Sequence, residues 1–419
     1  MRTKLLPFWM LILISFFLGS LMGLIFHPDS GILNKETSSL YIPWFRLPGD
    51  IFLNLLQMIM VPLVIASVAL GVSSLSSLNE LFNLGSKTMI YFVFTTFIAI
   101  SIGIGLAVTI KPGSYITSPK EIKTEFISEK LSGNEKSPSI PQLIANIVPK
   151  NIIKSILDQQ MLSLVLLGIL LGIFFLASDQ VKSAPLKSLL TSIESFCIWV
   201  VNIAMRIAPL AVFGLMCYAI TQIGVSLLSG LFFYVLTVII GLLIMYCVYL
   251  LFAYLFAKRK PRDFIIAIKE VQILGFSTSS SSSVLPISLK VAKEKLHIQH
   301  KIADFVLPLG ATINMDGTAL YQAVATIFIA QVYNIEFTFF QLILLLITVT
   351  GASIGTAATP GVGIVILGSI LQSFNIPIEG IAIIFGVDRL LDMCRTAINL
   401  SGDLTASVIM DYHFRKVKN

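Results

Sequence analysis

Apolar residues in this chain gather into long runs separated by polar joints. Runs near or above the roughly 20 residues that a helix needs to cross a bilayer fall at about 5–26, 51–72, 88–110, 160–177, 196–222, 228–257, 302–332 and 378–412. The pattern predicts an all-α membrane protein with eight transmembrane helices. Pro62 and Pro209 interrupt two of the runs, with Arg206 one turn before Pro209. Neighbouring helices can pack such kinks, and neither proline receives a chemical role.

Two further apolar segments are broken at their middles. Residues 264–289 are interrupted by a hydroxyl run from Ser277 to Ser283, and residues 338–373 by a small, glycine-rich stretch from Gly351 to Gly363. Each arm, at roughly 11 to 13 residues, is too short as a helix to cross a ~30 Å hydrocarbon core. We read them as two re-entrant helical hairpins; a flexible linker is the alternative for the serine run. A re-entrant tip exposes backbone polar groups at membrane depth, tolerable where protein, water or a solute satisfies them. Hairpin followed by full helix occurs twice, 264–289 with 302–332 and 338–373 with 378–412. Paired interruptions of this kind point to inverted repeats with a solute site between them.

Composition agrees. Of 419 residues, 56% are hydrophobic and only 12% charged, and the mean hydropathy is +0.90, far above a soluble domain and demanding a lipid bilayer as partner. The net charge of +7 does not indicate nucleic acid, because basic residues cluster beside apolar spans at Arg2/Lys4, Lys258–Arg262 and Arg415–Lys418. The positive-inside rule then sets both termini and the 258–262 loop in the cytoplasm, in keeping with an even number of spans. The first run exceeds a signal-peptide h-region and no small-residue cleavage site follows, so it reads as a retained helix. Residues 111–158 turn polar and read as an external loop. Cys197, Cys217, Cys247 and Cys394 form no CxxC pair, so neither a disulfide framework nor a metal knuckle is indicated.

The chemistry concentrates in the last span. Asp388, Asp392, Arg395, Asn399 and Asp403 stand 4, 3, 4 and 4 residues apart on one helical face, with Arg389 beside them. Ionisable groups at that depth face a polar cavity, a partner or a transported ion. The 302–332 span carries a second break, Gly310 to Thr318, whose unwinding would free carbonyls; Asn314, Asp316 and the main chain near Gly310 with Asn399 and Asp403 make a plausible Na+ cage. An alternative pairs Asp316 with Arg389 or Arg395. Asp316, Asp388, Asp392 and Asp403 against Arg389 and Arg395 leave two surplus negatives, which buried sites relieve with protons or cations. Arg395 offers a planar fork to a carboxylate, and Asp392 could accept an ammonium. That pair fits an acidic amino acid, unless it is only an i, i+3 salt bridge.

Four motifs in order, Ser279–Pro286 (SSSSSVLP), Asn314–Thr318 (NMDGT), Ala352–Gly361 (ASIGTAATPG) and Asp388–Asp403 (DRLLDMCRTAINLSGD), resemble the dicarboxylate/amino acid:cation symporter family, the glutamate and aspartate transporters. The resemblance covers nearly the whole chain. It implies a homotrimer of eight helices and two hairpins, a scaffold holding mobile transport domains that move by an elevator-like motion. On that basis residues 1–110 hold scaffold helices 1–2 and helix 3, 111–158 the extramembrane loop, 159–257 helices 4–6, and 258–419 the transport core. The resemblance assigns the substrate's distal carboxylate to Arg395 and Thr318, its ammonium to Asp392 and its α-carboxylate to Ser281 and Asn399. Ser280, Thr359, Gly363 and Thr396 join the same site. One Na+ falls to Gly310, Asn314, Asn399 and Asp403, a second to Thr312 with the carbonyls of Ser353, Ile354 and Thr356, and a third to Thr95, Thr96, Asn314 and Asp316.

The chain departs from the family at one point. Members commonly carry a further arginine at the position of Ser279 or Met393, and this chain has neither; Arg389, one turn before Met393, is the candidate auxiliary charge. Retention of both Asp392 and Arg395 favours glutamate or aspartate over neutral amino acids and plain C4-dicarboxylates, while one methylene does not separate the two acids. Proton coupling is the rival to Na+, although His27, His297, His300 and His413 all fall at or outside span ends. A channel would present one repeated filter loop rather than two dissimilar tips. An enzyme using the serine run lacks a histidine or lysine in the membrane to activate it. The sole N-x-S/T sequon, at Asn399, lies inside the last span, which favours a bacterial plasma membrane.

Overall fold

The computed structural model describes residues 8–27, 35–73, 84–116, 148, 151–157, 161–224, 226–354 and 361–416. Among these the regular structure is all helical, with no strand. The first half contributes α1 (Phe8–Phe26), α2 (Lys35–Ser73), α3 (Ser86–Ile110), α4 (Met161–Ala177), α5 (Gln180–Ile223) and α6 (Ser226–Ala257). Local chemistry sets several ends. Lys111, with φ 50°, closes α3 by donating its N–H to the Ala107 carbonyl at 3.1 Å. Asp179 caps α5 by accepting from the Val181 N–H at 3.2 Å.

Two helices outrun the apolar stretches that predict them. α2 begins at Lys35 and α5 at Gln180, rather than near 51 and 196. The added turns carry Arg46, Asp50, Lys182, Lys187 and Glu194, which give no hydropathy signal. They remain helical through pairs such as Arg46 Nε to Asp50 Oδ1, 2.8 Å apart at i, i+4.

The second half is a series of shorter helices. α7 (Pro261–Thr278) and α8 (Ser281–Glu294) pack on each other across Ser279–Ser280, a much narrower break than the polar run suggests. The hydroxyls of Ser277 and Thr278 bond back to the carbonyls of Ile273 and Leu274, both at 2.8 Å, so the helix persists to the tip. Ser279 then takes φ 52°, and Ser280 caps α8 by accepting from the Ser283 N–H at 3.3 Å. α9 (His300–Ile313) and α10 (Asp316–Val332) are separated at Asn314–Met315, within the expected break. α11 (Phe339–Ile354) and α12 (Val362–Ser373) flank the second interruption, whose centre lies outside the described residues. α13 (Ile381–Lys416) closes the chain.

Burial separates the centre from the rim. α10 is buried from Asp316 to Ala330 and α12 from Val362 to Leu371, on every face. α1, α2 and α5 pack together with large apolar side chains exposed along their outer faces. Their backbones approach closely: a Cβ on Gly19 would strike the Phe213 carbonyl, and one on Gly214 the Phe45 carbonyl. Three helices among the described residues are long and apolar enough to cross a membrane, Ser86–Tyr115, Val181–Thr221 and Ser226–Ala257, with shorter apolar helices at Met10–Phe26, Val61–Leu70, Leu166–Ala177, Phe339–Ser353 and Val362–Ser373. α13 is absent from that set because charged and polar residues are spread along its whole length.

Candidate functional site

The polar stripe of α13 faces inward. Arg395 is fully buried, with Asp388, Asp392, Asn399 and Asp403 also buried along the same face. α6, α7, α9 and α10 pack around this helix. α7 comes close enough that a Cβ on Gly275 would meet Leu400, and Gln272 Nε2 donates to Ser401 Oγ at 3.0 Å.

Arg395 organises one end of the site. Its Nη2 donates to Asp392 Oδ1 at 2.8 Å and its Nη1 to Asp388 Oδ1 at 3.2 Å. The guanidinium carbon lies 3.8 Å from the centre of the Tyr321 ring, a cation–π contact that helps hold the fork flat. The i, i+3 salt bridge weighed as an alternative is therefore present. Thr318 and Gly363 close the other side: a Cβ on Gly363 would sit 3.4 Å from Thr318 Cγ2 and 3.5 Å from Arg395 Nη2, so a side chain there would narrow the approach to the guanidinium. Gln322 donates to the Gly363 carbonyl at 3.2 Å and ties α12 to α10. Thr396 bonds back to the Asp392 carbonyl at 2.9 Å. Arg389 reaches Asp392 Oδ2 from the outer side at 3.4 Å.

Asn399 links this end to the α9–α10 break. Its Oδ1 accepts from the Gly317 N–H at 2.8 Å, and its Nδ2 lies 3.3 Å from Thr318 Oγ1. Beyond the break sit the two remaining acids. Asp403 Oδ1 accepts from Asn314 Nδ2 at 2.9 Å. Asp316, at the start of α10, accepts from Thr96 Oγ1 at 2.5 Å and from Tyr249 Oη at 2.6 Å. Both carboxylates are essentially inaccessible, and among the described residues neither has an ion-pair partner. The surplus of two negatives thus falls on Asp316 and Asp403, and the alternative pairing of Asp316 with Arg389 or Arg395 is not what forms.

The donor set around these acids suits a hard cation. Asn314 Oδ1 is buried without a hydrogen-bond donor among the described residues, next to a carboxylate that its own amide group touches. Gly310 lets that carboxylate lie against its main chain, because a Cβ there would collide with Asp403 Oδ1. Carboxylate, amide, hydroxyl and main-chain oxygens are the ligands that Na+ accepts, whereas the described residues hold no cluster of three or more His, Cys, Asp or Glu.

Other expected residues are placed less completely. Thr95 is buried on α3 beside Thr96, and Thr312 bonds to the Leu309 carbonyl at 2.9 Å near the end of α9. Ser353 is buried on α11, which packs against α9. Ser280 and Ser281 are buried at the break between α7 and α8. Thr356 and Thr359 lie outside the described residues, as does the side chain of Ile354. Tyr249, Tyr321 and Gln322 escaped the sequence reading: an aromatic or lone amide in an apolar run looks like packing until its partner is known.

The chain matches the model of the sodium:dicarboxylate symporter family over residues 8–413. It is 36% identical over 405 residues to a proton/sodium-glutamate symport protein of Bacillus caldotenax, covering 95% of this chain and 92% of that protein. It is 35% identical to the proton/glutamate-aspartate symporter of Escherichia coli (strain K12), covering 95% and 91%. The human excitatory amino acid transporter 5 is 31% identical over 467 aligned positions, covering 96% and 81%.

Proposed function

We propose that this chain, which belongs to the sodium:dicarboxylate symporter family, is a secondary active symporter that takes up an acidic amino acid, glutamate or aspartate, together with a cation. The observation that carries this reading is the pair of buried carboxylates, Asp316 and Asp403, whose partners among the described residues are all neutral. Left uncompensated, such charges are costly; a cation relieves them, and binding it lets an anionic solute settle beside Arg395.

Na+ is the coupling ion we favour, with the proton as the alternative. Asn314 Oδ1, the close approach of Asp403 to Gly310 and the helix break between α9 and α10 support a Na+ held by Gly310, Asn314, Asn399 and Asp403. Thr95, Thr96, Asn314 and Asp316 would hold another, and Thr312 with Ser353, Ile354 and Thr356 a third. The substrate's distal carboxylate goes to Arg395 and Thr318, its ammonium to Asp392, and its α-carboxylate to Ser281 and Asn399, with Ser280, Thr359, Gly363 and Thr396 shaping the pocket. Arg389 adds positive field through its contact with Asp392. Binding then proceeds by exchange, the ammonium replacing the guanidinium on Asp392 while the guanidinium turns to the substrate carboxylate.

The architecture we infer is eight transmembrane helices and two re-entrant hairpins in inverted repeats, with residues 258–419 as the transport core of a homotrimer. We place it in a bacterial plasma membrane with both termini cytoplasmic. Uptake of radiolabelled aspartate and glutamate into proteoliposomes decides the coupling. Concentrative uptake under a Na+ gradient alone supports the reading, and uptake that persists under a pH gradient without Na+ replaces Na+ by the proton.

A further inference from the structure

The basic residues around the turn from α6 to α7 divide into two sets. Some are engaged within the fold: Arg259 Nη2 donates to the Leu296 carbonyl at 2.7 Å, Lys295 pairs with Glu270 at 2.8 Å, Lys293 with Asp304 at 2.5 Å and Arg415 with Asp411 at 2.8 Å. Lys258, Lys260, Arg262 and Lys269 are exposed, and among the described residues their side chains make no ion pair or hydrogen bond. Between positions 258 and 269 the sequence offers one acid, Asp263. It sits in the first turn of α7, where the helix N-terminus already favours a negative charge. The turn therefore carries a surplus of cations without counter-ions.

This turn stands at headgroup level. The 32 residues of α6, at 1.5 Å each, reach roughly 48 Å, enough for the hydrocarbon core and both polar layers of a bilayer. The helix is apolar through Phe256, and Lys258 follows directly. There the backbone takes φ 54° and the Arg259 N–H returns to the Ala253 carbonyl at 3.1 Å, which closes α6. Below the turn both helices present apolar side chains outward. On α7, Arg262, Ile266, Lys269 and Ile273 stand 4, 3 and 4 residues apart on one exposed face, opposite the buried Phe264, Ile268, Val271 and Gly275. Helical side chains lean toward the N-terminus, so the long stem of Lys269 runs back toward the turn. On α6, which packs against α7, Leu251, Tyr254 and Leu255 are exposed.

We propose that the corner between α6 and α7 binds an anionic phospholipid, its phosphate held among Lys258, Lys260 and Arg262 and its acyl chains laid along the exposed faces below. The proposal rests on the reading of α6 as a bilayer-spanning helix and is independent of the transported solute. Clusters of lysine and arginine immediately beside a membrane span attract anionic headgroups in this way. A free anion would meet the same cations but leave the apolar stripe of Ile266 and Ile273 uncovered. Because Arg259 ties the turn to Leu296 beyond the end of α8, a lipid seated here also anchors the base of the α7–α8 pair at the membrane surface.

The test titrates the delipidated full-length protein with phosphatidylglycerol or phosphatidylcholine and reads the first bound lipid by native mass spectrometry. The wild type is expected to bind phosphatidylglycerol at least fivefold more tightly than phosphatidylcholine. The triple variant Lys258→Gln, Lys260→Gln, Arg262→Gln should bring the two lipids within twofold, and the charge-conserving set Lys258→Arg, Lys260→Arg, Arg262→Lys should keep the preference. A charge-matched control, Lys154→Gln, Lys182→Gln, Lys187→Gln, all at exposed positions elsewhere, should also keep it. No preference in the wild type, an unchanged preference in the triple variant, or an equal loss in the control overturns the proposal. Should the triple variant fail to fold, Lys260→Gln and Arg262→Gln singly are each expected to lower the preference at least twofold, and no change in either has the same overturning force. Displacement of phosphatidylglycerol by millimolar inorganic phosphate means an ion site, not a lipid site. Amino acid uptake by the same variants in proteoliposomes reports separately on the symporter reading.

Discussion

Arg395 Nη2 lies 2.8 Å from Asp392 Oδ1, so the two groups proposed to take opposite ends of the substrate hold each other. Arg395 also reaches Asp388 and Asp392 also meets Arg389, and a zwitterionic acid can replace the central contact like for like. Removing one member of a buried charge pair costs about 2–5 kcal/mol, roughly 30- to 4,000-fold in affinity, and the longer contacts that remain, Arg395 with Asp388 and Asp392 with Arg389, place the loss toward the lower end. Arg395→Ala is expected to weaken aspartate and glutamate binding within that range. Asp392→Asn should weaken binding of aspartate more than of succinate, which has no ammonium. Isothermal titration at saturating Na+ measures both, and a parallel loss for the two ligands removes Asp392 from the ammonium role.

Gly310 faces the carboxylate of Asp403 so closely that a Cβ would strike it. Gly310→Ala must push Asp403 away from Asn314 or open the gap between α9 and α13. The expected result is a rise of at least tenfold in the Na+ concentration for half-maximal uptake, with the substrate affinity at saturating Na+ changed less. Flux measured against Na+ concentration checks this. An unaltered Na+ dependence places the cation elsewhere.

Arg389 touches the far oxygen of Asp392 at 3.4 Å and remains partly accessible. Its field reaches the substrate through that carboxylate rather than by direct contact. Arg389→Ala is expected to lower substrate affinity roughly 3- to 10-fold, about 0.7 to 1.4 kcal/mol, and Arg389→Lys to restore most of it. If the alanine variant keeps both affinity and rate, Arg389 has no part in substrate binding.

How much of this was legible beforehand varied with the physics involved. The stripe from Asp388 to Asp403 stood out because charge in an apolar run is rare, and helical spacing alone put it on one face. The break at Asn314–Met315 showed for the same reason. Tyr249 did not, because nothing local marks a tyrosine on α6 as the donor to Asp316 on α10; that pairing exists only through tertiary packing. Nor did the serine run reveal where its helices stop, since Ser277 and Thr278 satisfy their hydroxyls on the preceding turn and extend α7. The early start of α5 was invisible to hydropathy because its first turns carry Lys182, Lys187 and Glu194. In Arg395, sequence suggested two roles, substrate fork or internal salt bridge, and the geometry shows the bridge to both Asp388 and Asp392.

Gly214 offers a contrast that separates framework from site. Its Cα faces the Phe45 carbonyl with no space for a methyl group, where α5 crosses α2. Neither residue approaches the acids of α10 and α13. Overpacking at such a crossing costs about 1–3 kcal/mol, so Gly214→Ala is expected to lower the thermal midpoint of the purified protein. The half-saturating Na+ concentration of the folded fraction should stay within twofold of the wild type. Paired measurement of melting and Na+-dependent uptake distinguishes this from Gly310→Ala, for which the Na+ dependence moves and the melting point shifts less. If Gly214→Ala instead shifts Na+ dependence as strongly as Gly310→Ala does, the packing of α5 on α2 is coupled to the cation site.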